Sequence, residues 1–417
     1  MVENSQRLGV GLVGAGFIGN FHATSWTGVR DADIVAVSSR TLEAAQQLAG
    51  RCRDLRVGDA RAYADVRELV RDPRVDAVWV LVPNHVRIDV IEAITDEVTS
   101  GRADLVGIAV EKPLGRNLAE ARRVLQLVED AGLLHAYLEN QVYAPSVTRS
   151  HDLLWTRGAA LAGSPYLARC AEEHSGPHAA WFWDGTQQGG GVLSDMLCHS
   201  VEAGRYLLTP PDRDHSSWLT PKAVSAQIAS LKWSRRRYAA ELAYRYAGAV
   251  DYTRTPSEDY AHATISFENG DGDEVIVEAT TSWSFVGAGL RLTFELLGPE
   301  YSMSANTLNT EAQLFLGRRL ITPEGEDLVE KQSAEQGLMP LVSDESMTYG
   351  YTAENREVSA DFLAGRQPRE NLRHGVEVTE LLMAAYLSAQ SGETVRWPVD
   401  DLESFIPDVA KGTWKPR

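Results

Sequence analysis

The feature that most constrains this chain is Gly14-Ala15-Gly16-Phe17-Ile18-Gly19, which closes a short apolar run at residues 8–13 and opens a helix-like stretch through Trp26. This is G-x-G-x-x-G between a strand and a helix. Its glycines permit a tight turn and close approach of the backbone to a pyrophosphate seated at the helix N-terminus. The pattern that follows agrees. Apolar strands are predicted at residues 34–37, 76–82, 105–110 and 133–138, with helices at 86–94 and 118–131 between them. Alternation of this kind specifies a doubly wound parallel sheet, a Rossmann domain.

In such sheets ligands gather at the carboxyl ends of the strands. Gly14, Gly16, Phe17, Ile18 and Gly19 are therefore candidate contacts for a dinucleotide, joined by Pro83, Asn84 and His85 after the third strand. The second strand ends in Ser38-Ser39-Arg40-Thr41 without a carboxylate. An acidic residue there would read a ribose 2′-hydroxyl, whereas Arg40 beside Ser39 suits a 2′-phosphate. The cofactor reading is NAD(P), with NADP favoured. The strand at 105–110 delivers Glu111-Lys112-Pro113 to the same edge, and the segment from Glu139 to Pro145 reads as the exit from the domain, so Glu111, Lys112 and Asn140 are candidate cofactor contacts as well. The expected division is 1–142 for the dinucleotide domain and 143–417 for the remainder.

Beyond Pro145 the texture changes. Runs at 166–173, 223–233, 261–268, 274–283 and 290–297 read as strands, Gly270-Asp271-Gly272-Asp273 as a hairpin turn, and 146–157, 354–364 and 375–391 as helices. Grouped strands with flanking helices specify an α+β domain with a large, mostly antiparallel open sheet. Within it, Gly189-Gly190-Gly191 precedes Val192-Leu193-Ser194-Asp195-Met196-Leu197-Cys198-His199. On a helix, Asp195 and His199 lie on one face, one turn apart. A lysine, an aspartate and a histidine together can move a proton and stabilise charge on an oxygen, so Lys112, Asp195 and His199 are the candidate catalytic set. His174 and Trp181, in the loop before the glycine run, and Tyr143 are candidate substrate contacts alongside Asp195 and His199. Histidine bonds hydroxyls, and an indole stacks on the C–H face of a sugar.

Composition sets outer bounds. The 417 residues carry 40 Lys+Arg against 58 Asp+Glu, a formal charge of −18, which argues against nucleic acid and anionic membrane as partners. Three cysteines form no spaced pattern, so no metal site is expected and a reducing cytoplasm is the expected location.

The order of these motifs resembles the Gfo/Idh/MocA oxidoreductases, named for glucose–fructose oxidoreductase and inositol dehydrogenase. GAGFIG, the Pro83-Asn84 turn, EKP and the glycine run with D-x-x-x-H occur in the family's order over nearly the whole chain. The resemblance implies a Rossmann domain joined to an antiparallel sheet domain, and hydride transfer between a nicotinamide cofactor and a sugar, polyol or glycoside. It also implies Lys112, Asp195 and His199 as catalytic positions, and association into a homo-oligomer through the open sheet. Three departures stand out: Leu197 replaces the glycine of D-x-G-x-H, Trp181-Phe182 replaces Trp-Arg, and Gln141-Val142 replaces arginines near the domain exit. Two other activities use similar machinery. One is a redox-assisted glycoside hydrolase that oxidises transiently and eliminates, and the other is a cofactor-sensing regulator without catalysis.

Overall fold

A computed structural model describes residues 7–287, 289–316 and 337–416. Two compact units emerge. The first takes the described residues up to Gly115, then Ala119–Ala144 and Tyr349–Val376; the second takes Arg116–Leu118, Pro145–Thr348 and the residues from Glu377 on. The chain returns to the first unit at Tyr349.

The first unit is built on six strands: β1 (Leu8–Val13), β2 (Ala32–Ser38), β3 (Arg61–Tyr63), β4 (Ala77–Val80), β5 (Gly107–Glu111) and β6 (Leu134–Leu138). All are parallel, in the order β3-β2-β1-β4-β5-β6. Every residue of β1, β4 and β5 is buried, which requires cover on both faces and explains their near-continuous apolar character. One face is closed partly by the returning segment. Val358 and Phe362 of the helix Tyr351–Leu363 pack with Leu8, Val10, Leu12, Trp26 and Trp79. The fit is close enough that a Cβ at Gly107 would stand 2.7 Å from the Phe362 ring. Sequence periodicity did not register the short β3 or the helix Leu42–Asp54 before it, whose start is capped by Thr41 Oγ1 accepting the Ala44 N–H at 3.3 Å.

The second unit carries β7 (Leu167–Glu173), β8 (Thr220–Ala229), β9 (Tyr260–Glu268), β10 (Glu274–Ser282), β11 (Arg291–Leu297), β12 (Ser302–Asn306) and, beyond the pair β13 (Ala312–Leu316) and β14 (Gly337–Leu341), β15 (Val395–Arg396). The seven-stranded sheet runs β12-β11-β7-β10-β9-β8-β15 and is antiparallel except between β7 and β10. Burial alternates along β9, β10 and β11, so one face is covered and the other half-exposed. The hairpin at 270–273 is present: Asn269 Oδ1 accepts the N–H groups of Asp271 and Asp273, and Gly272 takes φ +86°. The expected strand at 223–233 ends instead at Ala229, because the Asp259 carboxylate takes the N–H groups of Leu231, Lys232 and Trp233 and turns the chain. Among the described residues no helix is long and apolar enough to cross a membrane.

Candidate active site

In the first unit the strand order places β1 beside β4 at the point where the winding reverses, the crevice in which such sheets bind ligands. Gly14 leaves β1 with its N–H on the Ser38 carbonyl and φ +123°, and a Cβ there would lie 2.4 Å from the Leu81 carbonyl oxygen. Gly19 packs as tightly: a Cβ on it would lie 2.2 Å from the Gly14 carbonyl oxygen. Gly16 differs. It is exposed, caps the helix Phe17–Ser25 without a side-chain hydrogen bond, and a Cβ on it would meet nothing within 4 Å. A turn pinned at both ends beneath open space, with helical N–H groups facing it, fits a pyrophosphate. Phe17 and Ile18 are half-buried on that turn, Ser39 is half-buried after β2, and Arg40 is exposed at the tip.

The ends of β4 and β5 are fastened by a residue that sequence pattern alone does not single out. Arg87, almost fully buried, donates to the Val82 carbonyl at 3.2 Å, to Asn84 Oδ1 at 3.1 Å and to the Pro113 carbonyl. It ties the Pro83-Asn84 turn to the EKP turn. Pro83 is half-buried, and His85 lies exposed beside them.

Glu111 is buried. Its Oε2 accepts the Lys112 N–H at 3.0 Å, and its Oε1 lies 3.1 Å from His22 Nε2. His22 Nδ1 in turn meets Asn355 Oδ1 at 3.1 Å, an oxygen that also accepts the Trp79 indole N–H. Because Asn355 can only accept there, Nδ1 must carry a hydrogen, and the His22–Glu111 contact then needs a further shared proton. Neither oxygen of the wholly buried Glu354 has a hydrogen-bond partner among the described residues. Burial, reinforced by the charges of Glu111 and Glu139, holds its carboxyl well above the usual range. Lys112 is half-buried on this support.

Two candidate contacts at the domain exit are enclosed. Asn140 is buried and donates to the Tyr349 carbonyl at 2.6 Å. Tyr143 is wholly enclosed, with the Arg369 guanidinium 4.2 Å from its ring centre, and burial raises its phenol well above the ordinary value.

In the second unit the D-x-x-x-H segment is not a plain α-helix. Leu193–Leu197 form a π-helical turn, followed by the α-helix Cys198–Leu207. Wide turns of this kind recur at functional sites. The helix beds against β10, where a Cβ at Gly204 would come 2.6 Å from Val277. Asp195 and His199 are both buried. Two partners complete the group. Glu172 sits on the inward set of β7 with Ala168 and Cys170, where alternation calls for an apolar side chain, and its Oε2 lies 3.7 Å from His199 Nε2. Trp283, just past β10, directs its indole N–H to Asp195 Oδ2 at 3.3 Å. Behind it Trp183, Trp233 and Trp283 close into an aromatic cluster, with ring centres 5.1 and 5.2 Å apart for Trp183–Trp233 and Trp183–Trp283. The loop before the glycine run is shaped by His174, buried with Nδ1 accepting the Gly176 N–H at 2.9 Å. Trp181 is half-buried and stacks on Phe182 at 3.8 Å.

A turn built for a pyrophosphate in one unit, and a buried imidazole with a carboxylate 3.7 Å away in the other, form the equipment of a dehydrogenase. Comparison with known proteins agrees. Residues 8–138 match the family described as "Oxidoreductase family, NAD-binding Rossmann fold", and residues 160–304 match the "GFO/IDH/MocA C-terminal domain". Levoglucosan dehydrogenase of Pseudarthrobacter phenanthrenivorans is 26% identical over 313 residues, 72% of this chain and 74% of its own. The NAD(+)-dependent scyllo-inositol 2-dehydrogenase of Bacillus subtilis is 24% identical over 320 residues, 76% of this chain and 79% of its own. Among solved structures, GenD2 from gentamicin A biosynthesis in complex with NAD is 27% identical, with a TM-score of 0.73 over 94% of this chain and 97% of that one. The chain belongs to the Gfo/Idh/MocA family of NAD-binding oxidoreductases.

Proposed function

We propose that this protein is an NAD(P)-dependent dehydrogenase that moves a hydride between nicotinamide and a ring hydroxyl of a sugar, polyol or glycoside. The observation that carries the reading is the buried His199, with Asp195 one turn before it and Glu172 3.7 Å from its ring. Oxidising a carbinol requires a base for the hydroxyl proton, and an imidazole titrates in the range where that exchange is easiest. His199 takes the proton, Glu172 steadies the imidazolium that results, and Asp195, held by the Trp283 indole, orients the reacting hydroxyl. Lys112 stabilises the developing alkoxide. The bound dinucleotide supplies the hydride acceptor, cradled by residues 14–19 and by the ends of β4 and β5. The substrate class is drawn from the relatives, which are named for levoglucosan and scyllo-inositol. Incubation with NAD or NADP and a panel of sugars, polyols and glycosides tests the proposal. Reduced dinucleotide accumulates with at least one of them. Glycoside cleavage that leaves the dinucleotide oxidised would instead mark redox-assisted hydrolysis.

Cofactor choice is carried by Arg40. Its exposure just after β2 supports a charge-assisted bond to a 2′-phosphate, and NADP is the favoured dinucleotide. Arg40→Ala raises the Kd for NADP by roughly tenfold, the value of one charge-assisted bond, and leaves that for NAD nearly unchanged. Equal losses, measured by titrating dinucleotide fluorescence, would remove the preference. Cys52, Cys170 and Cys198, all buried and in no spaced pattern, support a cytoplasmic location. The half-exposed outer face of the large sheet supports self-association.

A further inference from the structure

The chemistry above makes no use of a fully buried carboxylate and phenol in the second unit, Glu258 and Tyr386. We propose that Glu258 and Tyr386 are positioning residues, a clamp that holds the first turn of the Asp195/His199 helix in catalytic register. This rests on the function proposed above.

The first N–H groups of a helix have no partner within it and usually take a local side-chain cap. Val192, in the capping position, supplies no such bond. The cap arrives from far away in the chain. Glu258 Oε1 accepts the N–H groups of Gly191 at 2.9 Å and Leu193 at 3.1 Å, and its backbone carbonyl accepts that of Val192 at 3.0 Å. Tyr386 Oη accepts the N–H groups of Gly191 at 3.1 Å and Ser194 at 3.2 Å while donating its own hydrogen to Glu258 Oε1 at 2.6 Å. Burial lifts the Glu258 carboxyl to about 7 and the Tyr386 phenol well above its ordinary value, so the phenol keeps its hydrogen and remains the donor of that pair. An acceptor at a helix N-terminus is also favoured by the helix dipole.

The glycine run follows from this arrangement. A Cβ at Gly190 would stand 2.0 Å from Tyr386 Oη, and one at Gly191 would stand 2.6 Å from Glu258 Oε2 and 2.5 Å from its carbonyl oxygen. The glycines are there because the clamp fills the space a side chain would need. The clamp also reaches Asp195 by a second route. The next residue, Asp259, accepts the Trp283 N–H at 2.8 Å on its carbonyl, and the Trp283 indole holds Asp195 Oδ2. One dipeptide thus fixes both the helix that carries Asp195 and the side chain that orients it.

The test compares the full-length wild type with Glu258→Ala, Glu258→Gln and Tyr386→Phe, each loaded with dinucleotide. Two readouts are taken: steady-state kinetics with the best substrate of the panel, and amide hydrogen exchange over residues 189–199. Glu258→Ala and Tyr386→Phe lower kcat by about tenfold to a hundredfold, as small displacements of reacting groups do, with dinucleotide Kd unchanged and exchange accelerated at residues 191–194. Glu258→Gln keeps an acceptor oxygen in the same place and restores most of the turnover and the protection. Turnover as low in Glu258→Gln as in Glu258→Ala overturns the clamp, as does unchanged exchange, or faster exchange with unaltered kcat. Should Glu258→Ala not fold, Tyr386→Phe against Glu258→Gln decides the matter. A wild type that reduces dinucleotide with no member of the panel overturns the proposed function, and the exchange arm then judges the clamp by itself.

Discussion

His199→Ala lowers kcat by roughly two to four orders of magnitude, the usual contribution of a positioned general base, and leaves dinucleotide affinity unchanged. The neighbouring groups do not substitute for it. Asp195 is occupied by the Trp283 indole, and Glu172 is set into the inward face of β7, beneath the helix rather than beyond it. His174 does not take over either, because it spends Nδ1 on the Gly176 N–H and shapes its own loop. Alanine leaves a hole of imidazole size beside Glu172. Added imidazole therefore recovers part of the lost rate, which a variant that had merely lost its fold would not allow. Stopped-flow reduction of the dinucleotide, with affinity titrated in parallel, separates the two quantities. Unaltered kcat would remove His199 from the proton path.

Gly16→Ala separates the cofactor cradle from the fold that carries it. Gly16 has φ −78° and ψ −163°, a conformation any residue adopts, and its added Cβ meets no protein atom within 4 Å. The thermal midpoint without dinucleotide therefore stays where it is. The methyl group intrudes on the pyrophosphate, and affinity falls by roughly one to two orders of magnitude, the value of about 1–3 kcal/mol of overpacking. Gly14→Ala and Gly19→Ala behave differently, because their Cβ atoms strike the carbonyl oxygens of Leu81 at 2.4 Å and Gly14 at 2.2 Å. Those two destabilise the protein whether or not dinucleotide is present. Differential scanning fluorimetry with and without dinucleotide reads both effects. An unchanged affinity in Gly16→Ala would place the pyrophosphate elsewhere.

The contrast among these glycines also shows where sequence reading reaches and where it stops. Spacing alone places Gly14, Gly16 and Gly19 on a strand-to-helix turn, because that geometry is local, and puts Asp195 and His199 on one helical face without foreseeing the π-helical turn that carries Asp195. Partners across the fold are not local. Glu258 meets Gly191 from 67 residues away, Tyr386 meets it from 195, and Trp283 meets Asp195 from 88. Nothing in composition or period pairs them before the strand order is known. Glu172 did leave a trace: a carboxylate at a position of β7 that alternation turns inward. Arg87 left none, because a cation at a helix start reads as exposed until its burial is seen. Tyr143 and Asn140 show the same limit, since sequence places them at a domain exit but does not pair them with Arg369 and Tyr349. The return of Tyr349–Val376 to the first unit was equally illegible, because an amphipathic helix does not name the sheet face it covers.

The most direct test follows a single hydrogen. A substrate from the panel, deuterated at the carbinol carbon, is mixed with oxidised dinucleotide and the wild-type enzyme, and both products are examined by mass spectrometry. If the carbinol hydride leaves for nicotinamide while His199 takes the hydroxyl proton, reduced dinucleotide accumulates in step with oxidised substrate and carries the deuterium. Substrate consumed with the dinucleotide still oxidised, or reduced dinucleotide without the label, would contradict the account.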